Sequence, residues 1–286
     1  VYVGYAGKTP NFETVRDAVD AVSRMGIAAE ADRVTVHIAP GTYREQIMVT
    51  TPYVTFKNDE PAKGEVLLTW YYGIGYKYFS SGSPAEGGYY NPERAYDKFE
   101  KNIADRWGTA VRVTGKGFRA ENITFENSFN RYITEEEILD GAEPAGNEAI
   151  NLARNYALDV ASKAATERAA AICVEADECE FYKCKFYSSQ DTVYTQGKVY
   201  FKSCLIEGQT DYIFGDVASK CIFDGCQLSW KGYKNGNQGG YITALRSNKG
   251  DVGYLFRNCA VTANPKLTVT AGGFGRPGAR TPTFSS

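Results

Sequence analysis

Phe181-Tyr182-Lys183-Cys184-Lys185-Phe186 and, twenty residues on, Phe201-Lys202-Ser203-Cys204-Leu205-Ile206 are two copies of one short pattern. An apolar residue is followed by two others, then a small apolar residue, one more residue and a second apolar one. Three further copies are Ala120-Glu121-Asn122-Ile123-Thr124-Phe125, Phe223-Asp224-Gly225-Cys226-Gln227-Leu228 and Phe256-Arg257-Asn258-Cys259-Ala260-Val261. The central residues, Ile123, Cys184, Cys204, Cys226 and Cys259, are 61, 20, 22 and 33 positions apart. Self-similarity near 20 residues marks a solenoid. The units are short, β-rich and broken by Gly, Asn and Ser, with no 3.6-residue period. They therefore predict an all-β parallel β-helix rather than a helical repeat. The longer intervals read as coils that carry insertions.

The repeat also accounts for the cysteines. Seven is an odd number, so at least one is unpaired within the chain. A small apolar residue at one inward position of each coil makes an internal ladder, and free Cys packs as a small hydrophobe. No Cys-x-x-Cys is present, and Cys221 and Cys226 have no nearby histidine, so no zinc site is expected.

Two aspartates share one place in this repeat. Asp191, in Ser189-Gln190-Asp191-Thr192-Val193-Tyr194, lies seven residues after Cys184. Asp211, in Gly208-Gln209-Thr210-Asp211-Tyr212-Ile213-Phe214-Gly215, lies seven after Cys204. Stacked parallel strands are about 4.8 Å apart, so outward-pointing carboxylates on consecutive coils become neighbours. Two such acids cannot both ionise freely. One pKa rises, which separates a protonated acid from an ionised base or nucleophile. Gln190 and Thr210 stack in the same way, and an amide there can donate to a developing oxyanion. The competing reading is a pair of surface or turn aspartates.

Other chemistries are narrowed by composition. The single histidine, His37, falls on the polar face of the strand Val34 to Ile38, which leaves little room for a Ser-His-Asp or Cys-His apparatus. The 286 residues carry a net charge of −2, which gives no nucleic-acid footprint. No run approaches the roughly 18 apolar residues of a membrane helix, and no signal peptide is visible. Phe12, Val15, Ala18, Val19, Val22 and Met25 follow helical spacing and predict an amphipathic helix capping the N-terminal end of the coil stack. Val34, Val36 and Ile38 alternate as a strand that ends at the turn Pro40-Gly41-Thr42. Residues 69–107, rich in aromatics such as Trp70, Tyr71, Tyr72, Tyr76, Tyr78, Tyr89, Tyr90 and Trp107, and polar residues 128–166, with weak helical signals around Leu152 to Ala164, read as insertions. The whole of 1–286 then reads as one domain.

Four stretches, in order, resemble the motifs of the pectin methylesterases (pectinesterases). Gly41-Thr42-Tyr43-Arg44-Glu45 is similar to that family's Gly-x-Tyr-x-Glu, and Gln190-Asp191-Thr192-Val193-Tyr194 to its Gln-Asp-Thr-Leu-Tyr. Gly208 to Gly215 resembles Gly-x-x-Asp-Phe-Ile-Phe-Gly, and Phe274-Gly275-Arg276-Pro277 resembles Leu-Gly-Arg-Pro-Trp. The resemblance implies a right-handed, single-stranded parallel β-helix and a carbohydrate esterase that hydrolyses the C6 methyl esters of galacturonate in pectin. It makes Asp211 the nucleophile, Asp191 the general acid and then base, Gln190 an oxyanion donor and Arg276 the partner of Asp211. Phe214, Thr109, Tyr194 and Tyr212 would contact substrate. No metal or organic cofactor, no nucleic acid and no membrane partner are implied. A monomer is expected, secreted or periplasmic because the substrate is a wall polysaccharide.

Three positions depart from that pattern. Arg168, before Ala169-Ala170-Ala171-Ile172, stands where the family has an oxyanion-hole glutamine; it either keeps that role or points away. Gly278 stands where the family has a groove tryptophan, for which the aromatic insertion could substitute. The chain stops at Ser286 after a stretch unlike the family, so a truncated or altered C-terminal end is expected, with Arg276 less firmly held. The alternatives are a pectin-binding β-helix without turnover, or a pectate lyase or polygalacturonase on the same scaffold.

Overall fold

A computed structural model describes residues 1–80, 101–104, 108–144, 154–160, 168–232, 238–265, 269 and 271–278. Its strands form three parallel sheets, one of nine strands and two of seven, wound as successive coils of a parallel β-helix. Each coil places one strand in each sheet. The fourth runs Cys179–Tyr182, Lys185–Tyr187, Val193–Thr195, and the fifth Lys198–Lys202, Leu205–Gly208, Ile213–Gly215. The repeated pattern straddles the corner between the first and second sheets.

That corner shows why the sequence repeats. Ala120, Phe181, Phe201, Phe223 and Phe256 are in register on five successive strands. The last four rings stack face to face, with centroids 5.0, 4.7 and 4.7 Å apart. Two positions further round, Asn122, Lys183, Ser203, Gly225 and Asn258 all adopt left-handed backbone, with φ between 52 and 62°. Each therefore turns the chain sharply from one sheet to the next, a conformation that Asn and Gly adopt most easily. Ile123, Cys184, Cys204, Cys226 and Cys259 follow at the expected inward position. None of the seven cysteines is in a disulfide, and all but Cys259 are buried. The ladder is thus packing, as the inward position in the repeat predicted.

The first coil is closed by the helix Val15–Ser23, whose buried Val15, Ala18, Val19 and Val22 join the main core. The helix is shorter than its pattern: Phe12 lies in a strand and Met25 is exposed. Thr14 caps it by accepting from the Asp17 N–H, and Glu45 accepts from the N–H groups of Val15 and Arg16 at 2.9 and 2.8 Å. The first family-like motif therefore ends in a carboxylate that anchors a helix N-terminus. The predicted strand is observed as Val34–Ile38, and His37 meets Asp59 at 2.5 Å on its outer face. Gly41 already begins the next strand, Gly41–Arg44, so the turn before it is shorter than Pro40-Gly41-Thr42.

Both insertions leave at the next corner, between the second and third sheets. The first departs after Val66–Trp70 and returns at Val111–Val113, so the expected boundary at residue 69 falls within a coil strand. The second departs after Ile123–Asn127 and returns at Ile172–Val174. They pack on each other: Glu143–Pro144, Tyr76–Tyr78 and Asn102–Ile103 form a small antiparallel sheet. Beneath it Trp70, Tyr71, Tyr72, Tyr76, Tyr78 and Phe129 make a second buried cluster. Several polar groups around it are paired. Asp140 accepts from Tyr71 and Ser80, and Arg154 donates to Glu137 at 2.6 Å with both side chains buried. A helix, Glu135–Leu139, lies in the second insertion. Tyr89, Tyr90 and Trp107, residues 152–153 and 161–164 of the Leu152 to Ala164 stretch and the tail after Gly278 lie outside the described residues, and the described part of that stretch carries a turn in place of the expected helix.

Candidate active site

In the fourth and fifth coils, the corner that elsewhere carries the insertions is spanned by a few residues. These include the two aspartates. Val193 pairs with Ile213, which sets Asp191 beside Asp211, and backbone bridges join Arg168 to Gln190 and Gln190 to Thr210. Both aspartates are left-handed, with φ of 63 and 48°. They are corner residues, and the turn aims their side chains out of the coil. Gly208 makes the turn before Asp211 possible. A Cβ there would come within 2.2 Å of the Tyr212 Cβ and 2.6 Å of the Ser189 carbonyl oxygen.

The two carboxylates have different surroundings. Asp211 is buried, at 3% exposure. Arg276 from the last coil clamps it with two hydrogen bonds, Nε to Oδ1 at 2.8 Å and Nη2 to Oδ2. The bidentate fork compensates that burial and fixes the carboxylate plane. The strand Ala271–Pro277 positions Arg276 by pairing it with Ala244, which pairs with Phe214. The C-terminal motif therefore completes the site. Among the described residues Asp191 has no such clamp. Loss of solvation and the neighbouring Asp211 charge push its pKa up to about 7, against the pull of Arg168, Arg276 and Arg246.

These groups line a cleft of about 300 Å³. Asp191, Asp211, Gln190, Arg168, Arg276, Phe214 and Tyr194 all face it, so most of the residues expected from sequence are brought together. Phe214 and Tyr194 meet edge to face at 5.0 Å. Arg168 faces the cleft rather than pointing away. Thr109 and Tyr212 are not among the lining residues. The Thr109 hydroxyl is buried and donates to the Ala170 carbonyl at 2.9 Å, and Tyr212 is fully buried in the main core. The left-handed corner at Asp211 breaks simple alternation, so Tyr212 and Ile213 both turn inward. Trp70, Tyr71 and Tyr72 pack the insertions instead of offering the cleft a stacking ring.

Sequence reasoning missed Ile74 and Arg246, which also line the cleft. Ile74 comes from the first insertion, held by its N–H to the Arg168 carbonyl at 2.7 Å. Arg246 lies one alternation step beyond Ala244. That same-face spacing was the available signal, and its backbone N–H is held by the Gly215 carbonyl of the fifth coil at 3.1 Å. Among the described residues, no group of three or more His, Cys, Asp or Glu side chains gathers as a metal site.

Fold and site together define a parallel β-helix protein with an unequal aspartate pair in an arginine-lined cleft. The family model described as Pectinesterase matches residues 106–280, and the chain belongs to the pectinesterase family. It is 30% identical over 263 residues to Pectinesterase 31 of Arabidopsis thaliana, covering 88% of this chain and 61% of that protein. Across three curated relatives the chain spans 53 to 61% of their length. Among solved structures, pectin methylesterase PemA from Erwinia chrysanthemi superposes with a TM-score of 0.67 at 20% identity, over 99% of this chain and 72% of that one. A pectin methylesterase in complex with a hexasaccharide gives the same TM-score at 21% identity, over 100% and 72%. These likenesses support the coil architecture described above.

Proposed function

We propose that this protein is a carbohydrate esterase that hydrolyses the methyl esters of galacturonate units in pectin, yielding pectate and methanol. The observation that carries the reading is the asymmetry of the aspartate pair: one carboxylate is clamped by arginine, and the other has its pKa lifted to about 7. Asp211 attacks the C6 carbonyl carbon, and the oxyanion that forms meets the Gln190 amide and the Arg168 guanidinium. Asp191 gives its proton to the methoxy oxygen as the carbon–oxygen bond breaks, releasing methanol and leaving an acyl–Asp211 intermediate. Asp191 then takes a proton from water. The resulting hydroxide attacks the acyl carbon, and galacturonate leaves with Asp211 restored. Phe214 and Tyr194 supply the apolar wall against which the sugar lies.

Arg276 acts by holding Asp211 in line, and the chemistry as written needs no cofactor. Pectin is a wall polymer, so the reading puts the protein outside the cytoplasm, secreted or periplasmic, in cell-wall modification or pectin catabolism. The direct test is methanol release from methyl-esterified pectin. Asp211→Ala should lower it by at least about 10³-fold, with the β-sheet circular dichroism unchanged. Turnover in that variant close to the parent rate would remove Asp211 from the nucleophile's place.

A further inference from the structure

Lys231 is a buried cation that the esterase chemistry does not use. It follows the sixth-coil strand Gln227–Trp230, at the start of the turn from the second sheet to the third. Burying an ammonium is costly unless hydrogen bonds and opposite charge meet it. Glu207 and Glu126 supply the charge, and Arg131 shares both carboxylates, at 3.3 and 2.7 Å. Burial and the nearby Arg131 bring the Lys231 pKa down to about 8, so the ammonium is still mostly charged at pH 7.

Among the described residues its side chain makes one hydrogen bond, to the Asn130 carbonyl at 3.1 Å. Asn130 belongs to the second insertion, which leaves from the third coil. The bond therefore reaches across the fourth and fifth coils, the two that carry the aspartates. It closes a ring. Asn130 Nδ2 donates to the Ser189 hydroxyl at 2.5 Å, and the Ser189 carbonyl accepts from the Gln209 N–H at 2.8 Å. Gln209 Nε2 donates to the Gly232 carbonyl at 2.8 Å, and the Lys231 N–H to the Gly208 carbonyl at 2.8 Å. Asn130, Ser189, Gln209 and Lys231 are all buried. A buried polar network of this kind is rigid when it is complete.

The ring lies directly behind the aspartates in the chain. Ser189 precedes Gln190 and Gln209 precedes Thr210, and those two residues are joined by a backbone bridge. Asp191 and Asp211 come next, each in left-handed backbone. Any slip of Ser189 against Gln209 is carried into both corners and moves one carboxylate relative to the other.

We propose that Lys231 is a positioning residue: by closing this ring from the sixth coil it sets the separation of Asp191 and Asp211. Its effect on turnover rests on the esterase reading above. Lys231→Met keeps the length of the side chain and removes the donor. Its kcat for methanol release should fall roughly ten- to a hundredfold, the scale of a misplacement of about 1 Å, with KM changed by less than about twofold. Asp191 should also titrate at lower pH. Burial and Asp211 raise its pKa, against Arg168, Arg276 and Arg246, and two carboxylates free to part repel less. The alkaline limb of kcat and the carboxyl-carbon NMR titration of Asp191, assigned by its loss in Asp191→Asn, should both shift down. A loss of stability alone would move neither.

Asn130→Ala opens the same ring on its other side and should give the same two changes. The double variant should be no worse than either single one; losses that add would overturn the ring. If Lys231→Met fails to fold, Asn130→Ala and Ser189→Ala carry the test. An unchanged kcat or an unmoved Asp191 titration would overturn the positioning role and leave the esterase standing. If the wild type releases no methanol from any ester, the esterase reading fails and the carboxyl titration decides alone. A downward shift then upholds the positioning of the pair, and no shift overturns it.

Discussion

Two of the three corners of the coil obey different rules. The corner between the first and second sheets repeats itself: a stacked phenylalanine, a left-handed residue, a buried thiol or isoleucine. The corner between the second and third sheets is different in nearly every coil. It holds two insertions, two aspartates and the arginines that reach them from neighbouring coils. A solenoid needs each coil to match its neighbours somewhere, or the ladders lose register. Once one corner supplies that match, the other is free to carry polar, strained and charged groups. Fold and chemistry are therefore kept apart on opposite sides of the second sheet.

This division can be broken by experiment. The largest effect on stability should come from the repeating corner. Phe201→Ala removes the middle of the ring stack and should cost about 3–5 kcal/mol in urea unfolding; a loss under about 1 kcal/mol would deny that corner its role. The irregular corner should respond with the opposite sign. An aspartate whose pKa is raised by folding holds its proton more tightly in the native state. Its contribution is thus intact below about pH 4, the unfolded value, and is lost as pH climbs towards about 7. Asp191→Asn should therefore leave stability at pH 4 little changed and raise it at pH 8 by on the order of 1–2 kcal/mol, while lowering methanol release. Equal effects at both pH values would show that Asp191 is not held in a proton-favouring site. The smallest change should be Cys204→Ala, roughly 1 kcal/mol from a buried thiol, with esterase activity retained. Loss of activity there would tie the ladder to the site and blur the distinction.

The repeating corner is also where sequence was most legible, because its residues are neighbours along the chain and recur at a fixed offset. The same offset exposed Asp191 and Asp211, each seven residues after its cysteine. Gln190 followed from its closeness to the pair, and Phe214 and Tyr194 from the family resemblance. Thr109 and Tyr212 did not reach the cleft. Alternation cannot be carried through a left-handed corner, and Thr109 spends its hydroxyl on the Ala170 carbonyl. Trp70, Tyr71 and Tyr72 could serve a groove or a core on sequence grounds alone. Only the packing of one insertion against the other assigns them to the core.

By itself, then, the sequence determined the coil, the thiol ladder and the pairing of two carboxylates, because each is written in short repeating intervals. Tertiary structure decided their inequality. Arg276 is 65 residues from the Asp211 it clamps, and Arg246 reaches the cleft because Gly278, in the following coil, leaves it space. Such contacts lie between coils whose separation along the chain varies with every insertion, so no fixed interval records them.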